Sequence, residues 1–149
     1  MAGWVGGKWR RQVDEGQVVA AIQQAEARTS GQIRVSVAPF FWGDVPRAAR
    51  KAFQRLGMDQ TRDRNGVLIF VVPSRKRFAV LGDQGIHEQV ADTFWEQVAT
   101  AMASHFRQGG FTEGLVEGIQ VVGDRLAEHF PHEDSAANEL PDAIDYGGA

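Results

Sequence analysis

Arg64-Asn65-Gly66-Val67-Leu68-Ile69-Phe70-Val71-Val72 runs from a polar turn into the most continuous apolar run of the chain, closed by Pro73. Six successive apolar residues, rich in β-branched and aromatic types, predict a strand buried on both faces in the middle of a sheet. The polar residues in front of it, Asp59, Asp63 and Asn65, lie where such a strand emerges, and they are the first candidates for chemistry.

Working upstream, Gln32 to Val37 alternates. Ile33, Val35 and Val37 share one face and Gln32, Arg34 and Ser36 the other, the period of a strand open to solvent on one side. Between the two strands, Asp44 and Pro46 mark a helix start, and Val45, Ala49, Ala52, Phe53 and Leu56 make its inner stripe. A strand, a helix and a strand imply a parallel pair. Downstream, Pro73-Ser74-Arg75-Lys76-Arg77 is short enough for a hairpin, so Phe78 to Leu81 returns antiparallel and the strand order is 1-2-3. About four helices accompany this mixed α/β sheet. The first runs from about Glu15 to Thr29, capped by Asp14 with Gln17 as its capping-box partner and ended by Gly31 as a left-handed cap. A long helix follows Gly82-Asp83-Gln84-Gly85 with Ile86, Val90, Phe94, Val98 and Met102 inward, and ends at Gly109-Gly110. The last starts at Thr112 or Glu113, carries Leu115, Ile119, Val122, Leu126 and Phe130, and stops at Pro131. The aromatics Phe40, Phe41 and Trp42 read as a hydrophobic lid over the sheet edge.

Three segments follow from this pattern. Residues 1–13 form a loosely ordered leader whose Trp4 and Trp9 cover an apolar patch; 14–131 form one domain; 132–149 form an acidic, flexible tail. The chain of 149 residues is long enough to bury a core without cross-links, and it contains no cysteine, which removes disulfides, thiolate metal sites and cysteine nucleophiles. From His132 onward there are five acids and no Lys or Arg, so the remainder carries about +2 of the overall −3, too even a balance for a nucleic-acid binder. No apolar run approaches the roughly 18 residues of a membrane span, and the N-terminal charges follow the short apolar part, the reverse of a secretory signal. The reading is a soluble, cytoplasmic protein.

Standard motifs are missing. Gly3 to Lys8 has glycines one residue too close for a phosphate loop and Trp9 where a hydroxyl would hold magnesium; G-x-G-x-x-G and G-x-S-x-G do not occur. His129 and His132 straddle Pro131 and cannot share a helical face. Topology is more informative. The parallel strands begin at Gln32 and Gly66 and the third ends at Gly82, so Gln32, Asp63, Asn65 and Asp83 converge at one end of the sheet, with Glu88 and Asp92 a turn or more into the following helix. Oxygen-bearing side chains among glycine-rich turns suit a hard cation such as calcium or magnesium, and equally suit plain capping and turn roles.

Thr29-Ser30-Gly31-Gln32-Ile33-Arg34-Val35, Arg64 to Ile69, Val80-Leu81-Gly82-Asp83-Gln84-Gly85-Ile86, Phe94-Trp95 and Asn138-Glu139-Leu140-Pro141 together resemble the TPM domain over roughly residues 14–142. That family includes thylakoid-lumen proteins linked to photosystem repair and small bacterial single-domain members. The resemblance implies a three-layer α/β/α sandwich, divalent-ion binding at loops on one sheet end, and a weak acid phosphatase activity attributed to plant members. Two departures stand out. Gln32 replaces an acid common in the family, and Arg64-Asn65-Gly66 replaces a common D-N-G. The function expected is therefore a TPM-type module that binds a divalent cation and serves a regulatory or protein-interaction role. The alternatives are a metal-dependent phosphatase with His87 as proton donor, and a metal-free partner-binding module using Phe40 to Trp42.

Overall fold

The computed structural model describes residues 13–133 and 139–147. The expectations for Trp4, Trp9 and Asn138 lie outside these residues. Three strands, β1 (Gln32–Val37), β2 (Gly66–Val72) and β3 (Arg77–Gly82), form one sheet in the order β1-β2-β3, with β1 and β2 parallel and β2 and β3 antiparallel. All seven residues of β2 are buried, because the strand has a helical layer on each face. Val67, Ile69 and Val71 join Ile33, Val35 and Val37 in one core, with α1 (Glu15–Glu26), α4 (Asp92–Arg107) and α5 (Phe111–His129). Leu68, Phe70 and Val72 point the other way, into a smaller core with Val45, Ala49, Ala52 and Phe53 of α2 (Val45–Arg55). The period-2 alternation of a doubly buried strand thus builds the three layers.

The register pairs Gln32 with Gly66 and Val67 with Gly82, so the start of β1, the start of β2 and the end of β3 meet at one edge. The hairpin turn is a 3₁₀ turn, Pro73–Arg75, closed by Lys76 in the left-handed region at φ 51°. Asp14 caps α1 as its spacing predicts, accepting the Gln17 N–H at 3.1 Å and the Gln17 side-chain amide at 3.0 Å. Asp14→Ala is expected to lower the urea midpoint with an unchanged slope, through loss of the cap.

Several expectations are corrected. Helix α1 stops at Glu26, three residues early, because Thr29 is drawn to the end of α5: its hydroxyl donates to the Phe130 carbonyl, and Ser30 N–H reaches the same oxygen at 3.0 Å. Gly31 is not left-handed; it is small because Leu126 lies where a Cβ would sit, at 2.9 Å. The long helix after Gly82 is two helices, α3 (Gln84–His87) and α4, separated by Glu88–Ala91, with Ala91 extended at φ −81° and ψ 161°. An i, i+4 stripe drifts by about 40° per step around a helix of 3.6 residues per turn, and the break lets Ile86 and Phe94 both reach the core. The face of β1 expected to be open to solvent is closed: Gln32, Arg34 and Ser36 are 4%, 8% and 0% exposed. The tail supplies much of that cover. Asp145 bridges Ser36 in parallel fashion, with Val37 N–H donating to Asp145 O at 2.7 Å and Asp145 N–H to Val35 O at 2.9 Å. Residues 139–147 of the tail lie against β1, with Ile144 buried.

Candidate functional site

The three strand ends bring a buried carboxylate and an arginine together. Asp83 follows β3, caps α3 by accepting the Gln84 N–H at 2.7 Å, and is only 6% exposed. Arg64 sits in the turn before β2 in the left-handed region, φ 50°, and its guanidinium forks onto Asp83 at 2.6 Å from Nε and 2.8 Å from Nη2. The backbones are pinned as well: Asp83 N–H donates to Gly66 O at 2.9 Å and Gly85 N–H to Arg64 O at 2.8 Å. A carboxylate removed from water needs a facing positive charge, and the bidentate pair provides it. Arg64 accordingly holds its proton more tightly than an ordinary arginine, chiefly through its bond to Asp83. This pair lines a cleft of about 400 Å³ together with Arg50, Phe53, Asp59 and His87. The His87 ring lies 5.1 Å from that of Trp95.

The remaining predicted ligands separate into three groups. Gln32 and Asn65 are buried and meet at Ser30: Gln32 Nε2 donates to the Ser30 carbonyl and Asn65 Nδ2 to its hydroxyl, each at 3.4 Å, while Gln32 Oε1 accepts the Leu140 N–H at 3.2 Å. Asp63 turns to Arg62, 3.2 Å from Nη2. Glu88 accepts from the Gln84 side chain at 3.2 Å, and Asp92 is exposed in the first turn of α4. Among the described residues no three His, Asp or Glu groups converge as a metal-ligand set.

Arginines organise this end of the sheet and the outer edge of β1, and the sequence reading passed over most of them. Arg62 takes Asp63 and Glu133 on its guanidinium and Glu139 on its backbone N–H at 3.1 Å. Arg55, from α2, forks onto Asp145 at 2.7 and 3.2 Å, and Ser36 donates its hydroxyl to the same carboxylate at 2.7 Å. Burial pushes the Asp145 carboxyl up, but Arg55 and Ser36 outweigh it and hold it below its ordinary value. Glu26 behaves oppositely. Burial first, and then its hydrogen bond with Asp142, raise its carboxyl to about 9, against the opposing Ile33 N–H. Near neutrality Glu26 therefore keeps its proton and shares it with the tail. Only the excess of acids after His132, facing Arg34, Arg55 and Arg62 earlier in the chain, hinted at this docking.

At the opposite end of the sheet, Phe41 packs edge-on against Phe70 at 6.5 Å and acts as the expected lid, while Trp42 is 79% exposed. No helix among the described residues is long and apolar enough to cross a membrane.

The sequence profile of the TPM domain matches residues 11–125. No curated protein sequence matches the chain. Among solved structures, the BA42 protein of the psychrophilic bacterium Bizionia argentinensis is 40% identical and superposes with a TM-score of 0.84, over 93% of this chain and 94% of that one. The N-terminal domain of a P. gingivalis protein is similar in fold at 19% identity and TM-score 0.62, covering 76% of this chain and 75% of that one. The N-terminal domain of the cg2496 protein of Corynebacterium glutamicum is similar at 16% identity and TM-score 0.59, covering 90% and 78%.

Proposed function

The chain belongs to the TPM domain family, and from that premise we propose that it is a TPM-type module responding to a divalent cation, calcium ahead of magnesium, at the end of the sheet where β2 starts and β3 finishes. One observation carries the reading: a nearly buried carboxylate, Asp83, is held at the rim of a cleft by an arginine whose side chain is 46% exposed. Asp83 and Asp59, the two carboxylates lining the cleft, would hold the ion, with backbone oxygens and water completing the shell. A bound ion would supply there the positive charge that Arg64 now provides. Arg64 and the ion thus compete, which makes binding weak and couples it to the turn before β2. That coupling suits a regulatory or interaction role.

Calcium titration followed by amide NMR shifts tests this. The expected result is saturable binding with a dissociation constant of roughly 10⁻⁴ to 10⁻³ M, the range of charge-poor sites. It should be lost in Asp83→Ala and tightened in Arg64→Gln. No saturation by calcium or magnesium up to about 10 mM, or equal binding in Asp83→Ala, would overturn the reading.

The same cleft favours a second reading, a metal-dependent phosphatase, because Arg50, Arg64 and His87 line it beside Asp83 and Asp59. An ion there would polarise the phosphoryl group and orient the attacking water. Turnover of a generic phosphate ester that is abolished in Asp83→Asn supports this reading; turnover unchanged in Asp83→Asn and Asp63→Asn assigns it to a contaminant.

A further inference from the structure

The outer edge of β1 is filled by residues 139–147, yet the fit is incomplete. Arg34 is 8% exposed, and among the described residues its guanidinium makes one hydrogen bond, Nη2 to the Ala143 carbonyl at 3.1 Å. Its Nε is buried with no hydrogen-bond partner among the described residues. A buried guanidinium N–H left unpaired carries a desolvation cost, so the notch around Arg34 is better suited to an occupant with more acceptors than the tail offers. The rest of the groove has the makings of a receptor. Val35 O and Val37 N–H pair with an extended segment, Ile144 is buried as its apolar anchor, and Ser36 with Arg55 clamps a carboxylate. Among the described residues the backbone pairing of the tail with β1 is one bridge, against six paired positions between β1 and β2, and side-chain contacts supply the rest of its hold.

We propose that the β1 edge is a docking groove for an extended acidic peptide of a partner protein, with one carboxylate in the Ser36–Arg55 clamp and a second, two residues earlier, on Arg34, and that residues 139–147 are its place-holder. Partner and tail compete for the same register. Pairing along the edge provides affinity that does not depend on sequence, while the two cationic notches select an acid-x-acid pattern with a branched apolar residue between. The charge agrees: the resident segment is acidic and the groove presents Arg34 and Arg55.

The test uses the full chain and two synthetic peptides, residues 139–147 as they stand and the same peptide with Ala143→Glu. In the full-length Asp145→Ala protein, whose tail has lost its clamp, both peptides should shift the amides of Val35, Ser36 and Val37. The Ala143→Glu peptide should bind about tenfold more tightly, as one added charge-assisted hydrogen bond allows. That advantage should vanish in Asp145→Ala/Arg34→Met. No binding at about 1 mM peptide, or equal binding of the two peptides, overturns the proposal. Should Asp145→Ala fail to fold, Ala143→Glu in the otherwise native chain reads the same notch in cis. Slower amide exchange at Val37 and Asp145 supports the proposal, and unchanged or faster exchange overturns it.

Discussion

Gly85→Ala is expected to destabilise the protein by about 3 kcal/mol, at the upper end of overpacking costs, although the new methyl group is small and the backbone angle is ordinary. The reason is what surrounds it. A Cβ at residue 85 would lie 2.4 Å from the Asp63 carbonyl oxygen and 2.6 Å from that of Arg64. Both are backbone atoms, so no side-chain rotation relieves the clash. Gly85 N–H is itself bonded to Arg64 O, which leaves no slack. The turn before β2 and helix α3 must then separate, taking with them the fully buried Ile86 and the fork between Arg64 and Asp83. Chemical denaturation measures the loss, and it should coincide with loss of calcium-induced shifts. A cost below about 1 kcal/mol would show that the two segments yield easily.

The second large effect concerns pH. Glu26 titrates near 4.5 in the unfolded chain and is raised to about 9 in the fold, by burial and by the Asp142 carboxylate it faces. Between those values the folded state binds a proton that the unfolded state does not, so stability is complete below about 4.5 and declines as pH rises through about 9. One proton sets a slope of at most about 1.4 kcal/mol per pH unit, and the partial exposure of Glu26 narrows the pH window over which it acts. Glu26→Gln keeps both hydrogen-bonding functions, an acceptor for Ile33 N–H and a donor to Asp142, without titrating. Denaturation midpoints from pH 5 to 9 should therefore fall in the native protein and stay nearly level in the variant, which becomes the more stable of the two at alkaline pH. Parallel profiles would mean that Glu26 is ionised in the fold. Asp145, whose carboxyl is lowered, acts in a separate window: its contribution is present above its ordinary value of 3.8 and lost on acidification. Of the cations that face the tail at this edge, Arg55 holds its proton more tightly through its bond to Asp145, while burial loosens that of Arg34.

Much of the fold was legible because apolar periodicity is a local property. Val67 to Val72 announces a central strand, the alternation of Ile33, Val35 and Val37 marks its parallel neighbour, and Asp14 and Asp44 announce their helices with the caps they make. Periodicity failed where a local pattern was overruled from far away: at Thr29, claimed by Phe130 about a hundred residues later, and between Glu88 and Ala91, where the chain breaks a stripe that counts as one helix. It also misjudged the polar face of β1, since alternation reports one apolar face and says nothing of what covers the other. For the candidate site, the sequence brought the start of β1, the start of β2 and the end of β3 to one edge, as the register has them, and left the charge pairing open.

The sequence by itself determined the order and direction of the strands, the apolar stripes of the helices, and the gathering of Asp63, Asn65, Gln32 and Asp83 at one end of the sheet, because these follow from residue spacing and short connections. Only the tertiary structure decided which charge faces which. Arg64 takes the buried Asp83, Arg55 takes Asp145, and at the surface Arg62 takes Asp63 and Glu133, since the partner of a carboxylate is whichever cation the packed chain carries within reach, and that distance is set by the whole fold.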